Sequence, residues 1–207
     1  MKIDHFAVRA DGYDTTDYRL RYVEEMARSI LDAVSLTKET VLLDFGAGTG
    51  LLTERIAPYV GKIIAVDISP SMIEQLEQKR ETLPCELETL RVDLCREAFA
   101  AEKVDGIVST MTLHHIEDVP ALFRRFRQAM KPGAFLALCD IDSEDGTFHT
   151  LDTGVKHFGF DRKEIIQWCK EAGFVDVHCV DSTVIVKPHG EYSAFFLSGR
   201  APDEKLR

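Results

Sequence analysis

The residues with the clearest chemical potential form a glycine-rich stretch that directly follows an apolar run. Val41–Phe45 is almost continuously apolar, which is typical of a strand buried on both faces of a parallel sheet. Gly46, Gly48 and Gly50 follow this run, and Leu51–Ala57 has the pattern of a helix. Glycines let a ligand approach the backbone closely, and a helix N-terminus offers free N–H groups. The stretch therefore predicts a ligand site at the start of this helix.

The residue types around these glycines indicate which ligand the loop would take. The dinucleotide-binding fingerprint is G-x-G-x-x-G, whereas this chain has G-x-G-x-G, with its third glycine one position earlier. Asp44 lies just before the loop, where a carboxylate would repel a pyrophosphate and attract a cation. The loop is therefore predicted to bind a positively charged ligand without phosphates. A tight turn without a ligand and an NAD-dependent dehydrogenase are the alternatives that these residues leave open.

Further polar side chains lie at the ends of other apolar runs. Asp67 and Asp93 follow the second and third runs, and Ser109 and Asp140 end two later ones. In an open parallel sheet, ligands bind beyond the carboxyl ends of the strands. We therefore expect these four side chains and Asp44 to meet in one crevice.

Alternating strands and helices are predicted to hold these residues in place. A helix with one apolar stripe begins at Asp17, and strands and helices then alternate five times before the chain closes with strands. The predicted strands are Val41–Phe45, Lys62–Asp67, Cys85–Val92, Val104–Ser109, Ala134–Asp140, Phe174–Asp181 with Thr183–Lys187, and Tyr192–Ser198; a short polar helix is predicted over Arg96–Glu102. The predicted fold class is α/β: a doubly wound, seven-stranded, mostly parallel sheet with an antiparallel C-terminal strand.

Length and composition are typical of one globular domain. The chain has 207 residues, 45% of them hydrophobic, and a formal net charge of -10, which is unlike the basic surface of a nucleic-acid-binding protein. We interpret residues 1–207 as a single domain, in which 1–16 is a mobile arm, 17–140 binds the ligand, 141–160 is an irregular loop and 161–207 holds the last helix and strands. No run is apolar enough for a membrane span. Five cysteines without a C-x-x-C pair favour free thiols and a cytoplasmic location.

Five sequence blocks, in order, resemble a known family. They are residues 41–50, 64–72, 92–94, 104–115 with Leu-His-His at its end, and 131–136. In these blocks the chain resembles the class I S-adenosylmethionine-dependent methyltransferases, in particular the small UbiE-like group that acts on small molecules. The resemblance covers about residues 13–140 and implies a Rossmann-like fold, S-adenosylmethionine (SAM) as cofactor and S-adenosylhomocysteine (SAH) as product. A phosphate-free ligand with a sulfonium and an ammonium group agrees with the prediction from Asp44.

The resemblance also implies a role for each matching residue. Gly46, Gly48 and Gly50 would let the methionine part lie against the loop, and Asp44 would help to hold its ammonium group. Asp67 would accept both ribose hydroxyls, which a carboxylate can do in a bidentate manner. The remaining implied contacts are Ile68, Met72, Asp93 and Leu94 with the adenine, Ser109 and Thr110 with the methionine part, and Tyr13 as a cover over the cofactor.

The acceptor side of the site is less well defined by the sequence. His115 and His149 are the candidate general bases, which the reaction needs only if the acceptor must lose a proton. Support of the loop by His114 and His115 is the alternative interpretation of that pair. No metal site is predicted, although Asp140, Asp142, Asp145 and His149 are a possible oxygen-rich set after the fifth strand.

Acceptor specificity is expected in residues 1–16 and 141–160. The predicted function is methyl transfer from SAM to a small-molecule acceptor by in-line displacement, with no nucleic acid and no membrane span involved. The alternative is a protein that binds SAM or SAH without transferring methyl groups and acts in regulation or interaction. The sequence does not indicate the oligomeric state.

Overall fold

A seven-stranded sheet forms the centre of the molecule. The computed structural model describes residues 10–97, 99, 101–151 and 153–203. The strands are β1 (Val41–Phe45), β2 (Lys62–Val66), β3 (Glu86–Leu90), β4 (Val104–Thr110), β5 (Met130–Ile141), β6 (Val175–Lys187) and β7 (Gly190–Arg200). Their order in the sheet is β3-β2-β1-β4-β5-β7-β6. The order reverses between β1 and β4, and a crevice for ligands forms at such a point in an open α/β sheet.

The directions of the strands confirm the predicted fold class. Strands β1 to β5 are mutually parallel, whereas β7 is antiparallel to both β5 and β6. The last two strands form one long hairpin, with an irregularity between Asp181 and Thr183 in β6. Because β7 is paired on both sides, β6 forms the edge of the sheet at this end.

Among the described residues, five α-helices cover the two faces of the sheet. They are α1 (Asp17–Ala33), α2 (Leu51–Ile56), α3 (Pro70–Lys79), α4 (Val119–Ala129) and α5 (Arg162–Glu171). Side-chain hydrogen bonds cap the N-termini of three of these helices. Ser69 accepts a hydrogen bond from the Met72 N–H at α3, Asp118 caps α4, and Asp161 caps α5. The cap by Ser69 agrees with Pro70 at the first helical position.

The alternation of side chains along β1 creates a core on each face. Leu42 packs in a cluster with Met26 and Ile30 of α1, whereas Leu43 packs in a second cluster with Phe123 of α4. Each of these five side chains is fully buried. Adjacent strand residues point to opposite faces, so a continuously apolar strand is the sequence that a sheet covered on both sides requires.

Two local predictions differ from the structure. The stretch predicted as a helix over residues 96–102 begins instead as a turn, in which the Asp93 carbonyl accepts hydrogen bonds from the N–H groups of Arg96 and Glu97. The Asp93 carboxylate also accepts from the Cys95 N–H, so local side-chain bonding competes with the helix. In the predicted arm, residues 1–9 lie outside the described part, and Ala10–Thr15 forms a short 3-10 helix that was not predicted.

Candidate functional site

A large cavity opens at the carboxyl ends of β1, β2 and β4. Its volume is about 710 Å³, within the usual range for small-molecule sites. Most of the residues singled out from the sequence line it. They are Tyr13, Asp44, Gly46, Gly48, Asp67, Ile68, Met72, Asp93, Leu94, Thr110, His115 and His149. The structure therefore brings together residues from six separate parts of the chain.

Two predicted contacts, Gly50 and Ser109, are not part of the cavity wall. The Ser109 hydroxyl is buried and donates a hydrogen bond to the Phe45 carbonyl at 2.6 Å, so it joins β4 to β1. Gly50 precedes α2, and a Cβ atom there would come within 2.4 Å of the Leu76 Cδ1 atom in α3. Both residues hold the elements of the site together, and the Ser109 hydroxyl donates its hydrogen bond inward to Phe45, away from the cavity.

The backbone of the glycine loop is fixed by the end of β2. The N–H groups of Gly46 and Ala47 both donate to the Val66 carbonyl, at 2.8 and 3.1 Å. Gly48 has a φ of +56°, and a Cβ atom added to it would find nothing within 4 Å. Because Gly48 lines the cavity, the loop leaves space beside its backbone that a ligand can occupy.

The Asp67 carboxylate is held rigidly at the end of β2. One of its oxygens accepts from the Gly48 N–H and the other from the Ser69 N–H, both at 2.8 Å. Each carboxylate oxygen has a further lone pair, so the group can still accept hydrogen bonds from a ligand. Two oxygens in a fixed plane suit a pair of neighbouring hydroxyls.

Asp44 is a buried carboxyl group at the other side of the loop. Its side chain is 1% exposed, and one oxygen accepts a hydrogen bond from the Thr53 hydroxyl at 2.6 Å. Burial raises the pKa of Asp44 to about 7, and the nearby negative charge of Asp67 also raises it, while the bond from Thr53 lowers it. A nearby cation would strongly stabilise the ionised form of this carboxyl group, because it offsets the free-energy cost of a buried negative charge.

The cavity also has an apolar wall next to Asp67. Met72 and Leu94 are almost fully buried, whereas the Ile68 side chain is 60% exposed although it lines the cavity. Asp93 lies in the same wall and is oriented by the Cys95 N–H. Apolar side chains with one acceptor at their rim suit a flat heteroaromatic ring.

The segment before α1 lies against the glycine loop. Asp14 accepts hydrogen bonds from the Thr49 hydroxyl and from the Lys79 ammonium group, each at 2.6 Å. The guanidinium group of Arg19 lies 3.8 Å from the centre of the Tyr13 ring, which lines the cavity. These contacts attach Ala10–Thr15 to the loop and to α3.

Histidines dominate the part of the cavity that follows β4. His114 is 1% exposed, and its Nδ1 atom lies 2.6 Å from a carboxylate oxygen of Asp140, which is also fully buried. The His149 Nε2 atom lies 3.1 Å from the His114 Nε2 atom, and the His149 Nδ1 atom lies 3.2 Å from the Thr153 hydroxyl. Asp140, His114, His149 and Thr153 therefore form one continuous chain of hydrogen bonds.

The donors and acceptors in this chain follow from the Asp140 oxygens at its end, which accept hydrogen bonds. Asp140 accepts from the N–H groups of Leu113 and Ile141, so the His114 Nδ1 atom donates to it as well. If both rings are neutral, the His114 Nε2 atom is an acceptor and the His149 Nε2 atom carries a proton. His149 then accepts from Thr153 at Nδ1, so both of its nitrogens are engaged, which does not favour its predicted role as a general base.

The sequence reasoning missed the pairing of His114 with Asp140. Both residues stand out in the sequence, one in the Leu-His-His motif and one at the end of a strand, but no pattern indicates that they touch. The set of Asp140, Asp142, Asp145 and His149 does not form a common site. Arg162 binds both oxygens of Asp142, at 2.6 and 2.7 Å. Asp145 accepts from the Thr147 hydroxyl instead.

Fold and site together define a class I SAM-dependent methyltransferase. The chain matches the family model "Methyltransferase domain" over residues 18–179, which is most of its length. It therefore belongs to this methyltransferase family. Its relatives come from several groups, so membership of the UbiE-like group stays a prediction.

Individual relatives agree with the family. The chain is 29% identical over 164 residues to phosphoethanolamine N-methyltransferase 1 of Triticum aestivum, covering 77% of this chain and 33% of that protein. It is 28% identical over 156 residues to an uncharacterized methyltransferase of Schizosaccharomyces pombe, covering 67% of this chain and 55% of that one. The chain thus spans between a third and about half of these relatives.

Solved structures share the fold. A Haloferax volcanii protein solved in complex with its methyltransferase activator superposes with a TM-score of 0.78 at 17% identity, covering 98% of this chain and 100% of that one. Phosphoethanolamine N-methyltransferase 2 of Haemonchus contortus, solved with phosphomonomethylethanolamine and S-adenosylhomocysteine, gives 0.76 at 16% identity, covering 98% and 61%. Within the described residues, no helix is long and apolar enough to cross a membrane.

Proposed function

We propose that this chain transfers a methyl group from SAM to a small-molecule acceptor bound in the same cavity. The observation that carries the proposal is the pair of carboxylates on either side of the glycine loop. Asp67 is held by two backbone N–H groups, and Asp44 is a buried acid that gains from a nearby cation. SAM has neighbouring ribose hydroxyls for the first group and an ammonium group for the second.

The other residues of the cavity fit the rest of this cofactor. The open space beside Gly48 leaves room for the methionine part against the loop backbone. Ile68, Met72 and Leu94 form an apolar wall for the adenine, with Asp93 as an acceptor for its amino group. We expect the exposed Ile68 side chain to become covered when the cofactor binds, because its 60% exposure leaves apolar area to bury.

The chain's own contribution to the reaction is mainly alignment. When bound, SAM supplies an activated methyl group whose leaving group is a neutral thioether. Holding two reactants in line can contribute roughly 7–11 kcal/mol in favourable cases, without a covalent step by the protein. Tyr13 and the segment Ala10–Thr15, attached to the loop through Asp14, would cover the cofactor and help to exclude water.

The acceptor would lie on the histidine side of the cavity. Residues 141–160, the predicted acceptor loop, include Phe148 and His149, which line this wall. A cavity of about 710 Å³ that also holds the cofactor leaves room only for a small acceptor. The wheat and Haemonchus relatives are named for a small phosphorylated amine, which supports the same size class. A net charge of -10 argues against a nucleic-acid acceptor.

A cytoplasmic location is part of the proposal. All five cysteines are free thiols in the structure, and the reducing cytosol maintains that state.

The test is formation of SAH from SAM with a panel of small amines, alcohols and thiols. We expect product with at least one class of acceptor, and a strong loss in the Asp67→Asn variant. Binding of SAM without transfer to any acceptor would support the alternative of a non-catalytic SAM-binding protein. Failure to bind SAM at all would refute the proposal.

A further inference from the structure

We propose that His114, His115 and His149 form a binding site for a divalent transition-metal ion, such as Zn²⁺. One ring nitrogen from each residue lies within 4.8 Å of the other two. The three residues come from the turn after β4 and from the loop after β5, and all line the cavity.

The distance between the two Nε2 atoms suits a shared ion. They lie 3.1 Å apart in His114 and His149. Two nitrogens at this spacing, each about 2.05 Å from one ion, subtend about 98° at it, close to the angles of a four-coordinate zinc site. Because the two Nε2 atoms share a hydrogen bond in the structure, both rings must turn so that their lone pairs meet at the ion.

His114 has the support that metal-binding histidines usually have. Its Nδ1 atom donates to Asp140, which leaves the Nε2 lone pair directed away from the carboxylate. Asp140 is itself fixed by the N–H groups of Leu113 and Ile141, both at 2.8 Å. The carboxylate therefore selects one tautomer of His114, the one that can bind a cation.

His149 can adopt the matching tautomer without loss of its hydrogen bond. In the neutral pair its proton lies on Nε2, towards His114. Binding of the ion would move this proton to Nδ1, where it would donate to the Thr153 oxygen 3.2 Å away. A hydroxyl group can act as donor or acceptor, so Thr153 serves both states. No net proton is released in this exchange.

The ligand type indicates the class of metal. Imidazoles favour Zn²⁺, Co²⁺, Ni²⁺ and Cu²⁺, whereas Mg²⁺ and Ca²⁺ prefer oxygen ligands. Three protein nitrogens leave a fourth position, and the cavity borders all three rings. A zinc site with three histidines and one open position is of the catalytic type, in which the open position takes water or a substrate atom.

The experiment is a titration of the full-length, untagged, chelator-treated protein with Zn²⁺, followed by calorimetry, and with Co²⁺, followed by visible absorption. We expect one equivalent to bind and the cobalt spectrum to be that of a tetrahedral site with nitrogen ligands. His149→Ala should weaken zinc binding at least 100-fold, and Asp140→Asn should weaken it about 10–100-fold through His114. His178→Ala, on the exposed edge strand, is the matched control and should bind as the wild type does.

Two results would overturn the metal site: fewer than a tenth of an equivalent bound, or equal affinity in wild type and His149→Ala. In either case His114 and His149 form only a hydrogen-bonded pair, with His115 beside them. Because His149 is only partly buried, the variant is expected to fold, and its SAH binding provides the check. Metal binding is measured without cofactor or acceptor, so its failure is distinct from failure of the proposed methyl transfer.

Discussion

Replacement of Asp44 by asparagine should stabilise the cofactor-free protein at high pH and weaken its cofactor binding. Asp44 is buried, and its pKa is raised to about 7 from a usual value of 3.8. The folded protein therefore holds this proton more tightly than the unfolded chain does. Unfolding releases the proton between these two pH values, so the free energy of unfolding falls as the pH rises through this range.

The size of the effect follows from the two pKa values. Relative to a carboxyl group with the usual pKa, Asp44 lowers the free energy of unfolding by about 2 kcal/mol at pH 5 and about 4 kcal/mol at pH 8, at about 1.36 kcal/mol per pKa unit. The amide group in the Asp44→Asn variant cannot ionise, and its oxygen can still accept the hydrogen bond from Thr53. The stabilisation by Asp44→Asn should therefore be larger at pH 8 than at pH 5 by about 2–3 kcal/mol.

Urea unfolding of wild type and Asp44→Asn at pH 5 and pH 8 measures this difference. Asp32→Asn, on the exposed side of α1, is the control for the loss of one negative charge. Calorimetry at pH 8 should show weaker binding of SAM to Asp44→Asn. A stability difference that is the same at both pH values would show that burial does not perturb Asp44, and the reasoning about its cation preference would fail with it.

Two further predictions concern packing and thiol reactivity. Gly50 and Gly173 have nearly equal φ values of +90° and +91°, but only an alanine at position 50 would meet another side chain, the buried Leu76. Gly50→Ala should therefore reduce the free energy of unfolding by about 1–2 kcal/mol more than Gly173→Ala does. Equal losses for the two variants in urea titrations would contradict the contact with α3. Burial raises the pKa of the Cys139 and Cys169 thiols to about 12. At pH 8 both thiols should therefore react with a disulfide reagent such as DTNB only after the protein unfolds. Mass spectrometry locates the labelled cysteines, and rapid labelling of either one in the folded protein would be inconsistent with its burial.

Much of the fold was predictable because the local sequence patterns, such as apolar runs and helix caps, agree with the packing of the whole chain. The apolar run of β1 fills both cores, and α3 begins at Pro70 with Ser69 as its cap, one of the starts that the sequence allows. The placement of Asp44 and Asp67 beside the glycine loop followed from the rule that parallel strands end at the same edge.

The remaining features depend on contacts between distant parts of the chain. The inward hydrogen bond of Ser109 to Phe45 depends on the pairing of β4 with β1, which no local pattern contains. The link from Asp140 through His114 to His149 joins the end of one strand to two loops, and only the folded chain brings them together. The turn after Asp93 was missed because a single carboxylate, rather than helix propensity, decides its local structure.

The measurement that tests the central claim most directly is calorimetric titration of wild type and Asp67→Asn with SAH. The account predicts one equivalent bound by the wild type, and a loss of about 2–4 kcal/mol of binding free energy in the variant, because two charge-assisted hydrogen bonds to the ribose are weakened. That loss corresponds to roughly 30- to 1000-fold in affinity. Asp32→Asn should bind as the wild type does. No binding by the wild type, or equal affinity in the folded Asp67→Asn variant, would contradict the account.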